Sequence, residues 1–244
     1  MPLDQDIAAT LADSGTPERA VQEKRYLKSE LTHYGVTVPA IRAAVRGALK
    51  AAGAVPRAEL LAAVRALWAR PVHELRAASV ELLVAQVSVL QATELALVER
   101  LVREAKTWAL VDPLAVHVAG PLVERLPGCA EALDRWAKDE DFWVRRAAML
   151  ALLVPLRQGG GDFERFGRYA DAMLEEREFF IRKAIGWVLR EVAKRRPALV
   201  TQWLLPRARR ASGLTFREAT RALPEAQRAR LERARAVGAR RTTP

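Results

Sequence analysis

Four side chains of types suited to chemistry recur at helical spacing in this 244-residue chain: Trp108, Asp112, Arg146 and Trp187. A carboxylate beside indole faces stabilises a positive charge, the carboxylate by Coulomb attraction and the indoles through their electron-rich faces. An arginine suits an anion, phosphate above all, through its planar fork of donors. Trp187 lies in FFIRKAIGWVLR, residues 179–190, which also sets the basic pair Arg182 and Lys183 one turn away, a make-up that lets a helix face nucleic acid. Each residue has an ordinary reading too. A tryptophan at helical spacing commonly fills a core, an arginine commonly snorkels, and Asp followed by Pro, as in Asp112-Pro113, is the signature of a helix cap.

Helices must position these groups. Apolar residues recur at helical spacing in nearly every segment and no run alternates apolar with polar, so the chain is expected to be all-α. Breaks fall at Gly15 to Pro17, Gly35 to Pro39, Gly53 to Pro56, Arg70-Pro71, Pro127-Gly128, Gly159 to Gly161, Pro197 and Pro206. No linker is long enough to divide the chain. One domain is expected over residues 1–235, followed by a disordered basic tail at 236–244.

Three segments superpose on arginine anchors: ELRAASVELL on Arg76, WVRRAAMLAL on Arg145 and FIRKAIGWVL on Arg182. Each has an aliphatic residue before the anchor (Leu75, Val144, Ile181), alanine two after it (Ala78, Ala147, Ala184) and leucine seven after it (Leu83, Leu152, Leu189). The anchors stand one and two helical hairpins apart, the period of an α-solenoid of HEAT-like repeats with a concave basic face. A fourth row anchored at Thr107 supplies Ala109 and Leu114 but puts Lys106 at the aliphatic position, with Pro113 interrupting the helix. In this register Trp108 and Arg146 fall one residue after their anchors, and Asp112 and Trp187 five after theirs. The four therefore share one strip across successive repeats.

Charge agrees with a polyanionic partner. Arg exceeds Lys by 33 to 7, and residues 195–244 hold 13 basic against 3 acidic side chains, supplying +10 of the net +11. The same excess fits an Arg-rich coding bias on a solvated end. The acidic, polar opening is unlike a signal peptide and no run of eighteen apolar residues occurs, so no membrane association and a cytoplasmic, nucleoid-associated location are expected. Cys129 is the single cysteine, which excludes a disulfide framework within the chain. His33, His73 and His117 stand apart in sequence, so no metal site and no cofactor are expected. Gly159 to Gly161 lacks the Lys-Ser/Thr of a phosphate loop.

The segments RYLKSELTHYGVTVPAIR (25–42), TWALVDPLA, DEDFWVRRAAML and EREFFIRKAIGWVLREVAKRRPALV resemble the AlkD-like DNA alkylation repair glycosylases, built from HEAT-like repeats. The resemblance implies hydrolysis of the N-glycosidic bond of positively charged N3- and N7-alkylpurines in double-stranded DNA. It implies Asp112 as the catalytic carboxylate, Trp108 and Trp187 as the lesion-lining tryptophans and Arg146 as an arginine on the DNA backbone. Tyr26 and Arg190 fall in matching motifs and, with Arg182 and Lys183, are the further candidate DNA contacts. Two departures stand out. Thr107 replaces an aromatic that family members can show before Trp108, and Pro113 follows Asp112. A residue before proline avoids helical geometry, so Asp112 is expected to project differently from a mid-helix carboxylate. A monomer acting on alkylated duplex DNA is expected; the rival reading is a non-catalytic HEAT-like scaffold that binds DNA or a protein partner.

Overall fold

The computed structural model describes residues 2–236, and is all-helical apart from one isolated bridge between Thr32 and Val72. The expected tail lies outside the described residues except for Ala236, which closes the last helix. Contacts cluster into two compact units that divide after Leu126, at the Pro127-Gly128 break.

The first unit contains α1 (Leu3–Ala12), α2 (Pro17–Leu27), α3 (Val38–Ala52), α4 (Arg57–Ala69), α5 (His73–Ala85), α6 (Glu94–Ala105), α7 (Trp108–Leu114) and α8 (Gly120–Arg125). Helices α4 and α5 pair as a hairpin, α6 and α7 as the next, and α5 packs against both α3 and α7. The second unit contains α9 (Cys129–Trp136), α10 (Phe142–Leu150), α11 (Leu153–Arg157), α12 (Phe163–Ala172), α13 (Phe179–Ala193), α14 (Pro197–Leu204), α15 (Gly213–Thr220) and α16 (Glu225–Ala236). There α9 packs on α10, α10 on α13 and α13 on α15. Among the described residues no helix is long and apolar enough to cross a membrane.

The repeat is written in the starts of the second helices. They begin at His73, Trp108, Phe142, Phe179 and Gly213, at spacings of 35, 34, 37 and 34 residues. Each arginine anchor is the fourth residue of its helix. The residues framing it are core: Leu75, Ala78 and Leu83, Val144 and Ala147, and Ile181, Ala184 and Leu189 are fully buried, and Leu152 nearly so. Alanine at the third position lets the neighbouring helix approach, while the flanking aliphatics fill the layer between helices.

The anchors themselves are staples. Arg145 donates to the Asp139 carbonyl at 2.6 Å and Arg182 to the Glu176 carbonyl at 2.7 Å, each six residues back, while Arg76 donates to the Glu104 carbonyl at 3.1 Å. A guanidinium is long enough to reach carbonyls left open at a helix end, which is the recurring reason for arginine there.

Candidate active site

Thr107 caps α7, its hydroxyl accepting from the Ala109 N–H at 3.4 Å, and so occupies the place that Asp141 takes on α10 and Glu178 on α13. The fourth row of the repeat therefore moves by one helical turn, and its anchor is Val111. Leu110 then fills the aliphatic position and Val118 the leucine position, both buried. Pro113 takes the alanine position. In the corrected register Asp112 stands where Arg146 and Lys183 stand in their helices, and Trp108 stands where Phe142 and Phe179 do.

Asp112 lies inside α7, not at its cap, which removes the cap reading and the expectation that Pro113 breaks the helix. The helix runs through Pro113 and widens at once into a π-helical turn, Ala115–Ala119, before α8. Proline cannot donate to the Ala109 carbonyl, and a wider turn absorbs the ring; such turns are frequent at functional sites. Asp112 is half-buried and sits one turn from Trp108 on the same helix.

Trp108 is 37% exposed and meets Tyr26, itself 73% exposed, edge to face at 6.2 Å and 89°. Neither indole nor phenol fills a core here. Their helix-flanking neighbours are basic: Lys28 after α2 and Lys106 after α6 both have left-handed backbones, φ 50 and φ 49, uncommon for residues with a side chain. These two lysines help to line a pocket of about 360 Å³ together with Arg76 and Glu104. Sequence spacing does not single them out, since a lysine at a helix C-terminus is also the usual complement of the helix dipole.

In the second unit Arg146 is only 3% exposed. Its Nη1 donates to the Phe180 carbonyl at 2.5 Å and its guanidinium lies 5.9 Å from the Phe180 ring. It ties α10 to the first turn of α13, the helix that carries the half-buried Trp187. Around it Trp143 stands 4.6 Å from both Phe142 and Phe180, and the 55% exposed Phe179 packs edge to face on Phe180 at 5.3 Å. Aromatic residues thus open α7, α10 and α13, a signal visible only once the helix starts are aligned.

Lys183 and Arg190 converge on one carboxylate of α15. Lys183 Nζ donates to Glu218 Oε1 at 2.6 Å and Arg190 donates to Glu218 Oε2. The Lys183 hydrogen bond, with the two positive charges, holds the Glu218 carboxyl below the ordinary glutamate range against the opposing effect of burial. Gly186 permits this contact. A Cβ there would stand 2.5 Å from Glu218 Cβ and 3.2 Å from the Thr215 carbonyl oxygen.

The histidines are not all isolated in space. His33 and His73 stack at 4.6 Å with their planes 7° apart, beside the fully buried Glu74. The Glu74 carboxylate accepts from the N–H groups of Tyr34, Gly35 and Val36 at 2.9, 2.7 and 3.2 Å, clamping the loop onto α5. Burial lowers the pKa of both imidazoles, that of His73 to about 4.

Hairpins at intervals of 34 to 37 residues, with an exposed indole and a carboxylate one turn apart, define a HEAT-like helical-repeat protein. The chain belongs to the DNA alkylation repair enzyme family, whose sequence profile matches residues 7–223. Its fold is similar to that of a predicted DNA alkylation repair enzyme from Enterococcus faecalis, with 24% identity and a TM-score of 0.75 over 87% of this chain and 98% of that one. It is also similar to AlkD2 from Streptococcus mutans, with 17% identity and a TM-score of 0.58 over 85% and 99%. No curated protein matches the chain.

Proposed function

We propose that the protein is a DNA glycosylase that hydrolyses the N-glycosidic bond of positively charged N3- and N7-alkylpurines in double-stranded DNA. The observation that carries this reading is the half-buried Asp112 carboxylate held inside α7 one turn from the exposed Trp108. An alkylated purine is already cationic, so its bond to the sugar breaks with both electrons passing to the base, which leaves neutral. No general acid is needed. The sugar acquires oxocarbenium character, and a carboxylate is the group that stabilises it. Asp112 supplies that charge and orients the attacking water, whose oxygen bonds to the anomeric carbon as its proton is lost to Asp112 or solvent.

Trp108 offers its face to the cationic base and sugar, worth about 0.5–2 kcal/mol, with Tyr26 extending the aromatic surface. The family resemblance assigns Trp187 the role of second aromatic contact. Lys28 and Lys106 suit phosphates flanking the lesion, giving affinity without sequence preference. Arg146, buried on Phe180, fixes the start of α13, the helix that carries Trp187. Arg182, Lys183 and Arg190 bear on DNA as a basic group that Glu218 partly neutralises.

The test is release of 7-methylguanine from alkylated duplex DNA by wild type, Asp112→Asn and Trp108→Ala. Loss of the carboxylate is expected to slow release by about 10²–10³-fold, and loss of the indole by about 2–30-fold. Equal release by Asp112→Asn would take Asp112 out of the mechanism. Tight DNA binding with no release by wild type would identify a scaffold instead.

A further inference from the structure

Helix α2 presents Tyr26 to Trp108, yet none of its residues is buried. Something other than a hydrophobic face must hold it in place. Its inward-reaching polar group is Glu23, whose side chain is 22% exposed and paired on one oxygen with Arg19. One ligand-capable atom each of Glu23, His33 and Glu74 lies within 4.8 Å of the others. These residues are 10 and 41 positions apart in sequence, so no motif announces them.

His33 makes the cluster unusual. It is 9% exposed, and neither ring nitrogen has a hydrogen-bond partner. A buried imidazole ordinarily satisfies at least one nitrogen. Its face is occupied by the stacked His73 ring, which leaves the in-plane lone pair as the group still to be used. Glu74 spends three of its four acceptor positions on backbone N–H groups, and one remains on Oε2. Against the cluster lies a cavity of about 100 Å³ lined by Glu23, His73 and, from α7, Ala109, Leu110 and Pro113.

We propose that Glu23, His33 and Glu74 form a zinc site that pins α2 and the loop after it onto α5, with a fourth position open to water from the adjoining cavity. One imidazole and two carboxylates suit Zn²⁺, whereas Mg²⁺ and Ca²⁺ take oxygen alone. Tetrahedral zinc would hold the ligand atoms about 3.4 Å apart, and the partly exposed Glu23 side chain can close on the two buried ligands by changing rotamer. Two carboxylates and a neutral imidazole balance the charge of the ion. The ion would add a side-chain anchor to the backbone hydrogen bond from the Thr16 N–H to the Gly35 carbonyl at 3.4 Å, and fix Tyr26, three residues beyond Glu23, against Trp108.

Full-length protein, stripped with a chelator and dialysed, would be titrated with ZnCl₂ by calorimetry and followed by thermal denaturation, with MgCl₂ in parallel. One zinc per chain and a raised Tm are expected, with no response to MgCl₂. Glu23→Gln and His33→Gln should each weaken zinc binding by about tenfold or more, while His117→Gln, at an exposed histidine, leaves it intact. Glu23 is on the rim, so its variant reports even if His33→Gln fails to fold. Failure of wild type to bind zinc stoichiometrically, or binding by Glu23→Gln equal to wild type, would overturn the site. Neither result depends on glycosylase activity.

Discussion

Replacing Gly186 with alanine sets two effects of known size against each other. Alanine inside a helix is favoured over glycine by about 0.8–1 kcal/mol, so α13 on its own would gain. The added methyl, however, meets Glu218 Cβ at 2.5 Å and the Thr215 carbonyl oxygen at 3.2 Å. The first is about 1 Å short of ordinary contact, and it belongs to an atom fixed to the α15 backbone, which no rotamer change can withdraw. Helix α15 must shift, and overpacking of this kind costs about 1–3 kcal/mol. Because the clashing atom cannot withdraw, the cost falls in the upper part of that range, about 2–3 kcal/mol, leaving a net loss of about 1–2 kcal/mol, or about 2–8 °C in Tm for a chain of this size. Gly47 is the control. It is an exposed glycine within α3 with nothing within 4 Å of an added Cβ. Gly47→Ala should therefore raise Tm by about 2–4 °C through propensity alone. Thermal denaturation of the two variants decides the matter. A Gly186→Ala protein as stable as wild type would refute the close approach of α13 and α15, and with it the account of how Glu218 reaches Lys183 and Arg190.

Two further outcomes follow from the same elements. Because the Lys183 hydrogen bond and the charge of Arg190 depress the Glu218 pKa on folding, its stabilisation is full above the unfolded glutamate value of about 4.3 and is lost as pH falls through the folded value. The Tm difference between wild type and Glu218→Gln should be largest near neutrality and close as the pH falls below about 4; a difference unchanged at pH 3 would contradict the pairing. Arg146→Lys removes the planar fork that reaches Phe180 and should cost about 1.5–3 kcal/mol in urea denaturation. A cost below about 0.5 kcal/mol would mean that Arg146 does not hold α10 to α13.

The fold is legible in the chain wherever one residue type answers one physical need. The glycine and proline breaks coincide with helix ends from Gly15 to Pro197, because these residues continue a helix poorly and end it unless packing overrides them, as it does at Pro113. The anchor frame is legible for α5, α10 and α13, where buried aliphatics and alanine recur at fixed distances from an arginine. It fades at α15, where Phe216 stands at the anchor and Glu218 at the alanine position. There α13 contributes the small residue, Gly186, so the close approach is preserved while its sequence signature moves to the partner helix. The cluster of Glu23, His33 and Glu74 is illegible for a different reason: a loop closes it, and loop closure leaves no periodicity to read.

Asp112 shows how local rules and packing divide the decision. By local preference a residue before proline leaves the helical region, and an interior proline costs about 3 kcal/mol. On the same segment Leu110, Val111 and Leu114 are buried, and each contributes about 1.5–3 kcal/mol only if the helix persists. Packing wins, and the π-helical turn at Ala115–Ala119 takes up the distortion just beyond the carboxylate. Trp108 and Asp112 also stay on one face when the anchor of this row moves from Thr107 to Val111. The shift is four residues, slightly more than one turn of 3.6, so the row moves along its helix and rotates by only about 40°. Trp108 and Asp112 therefore remain on one face, with Asp112 now at the register position of Arg146 and Lys183. An acidic residue where the equivalent positions of α10 and α13 are basic is the departure from the repeat that a cationic ligand would require.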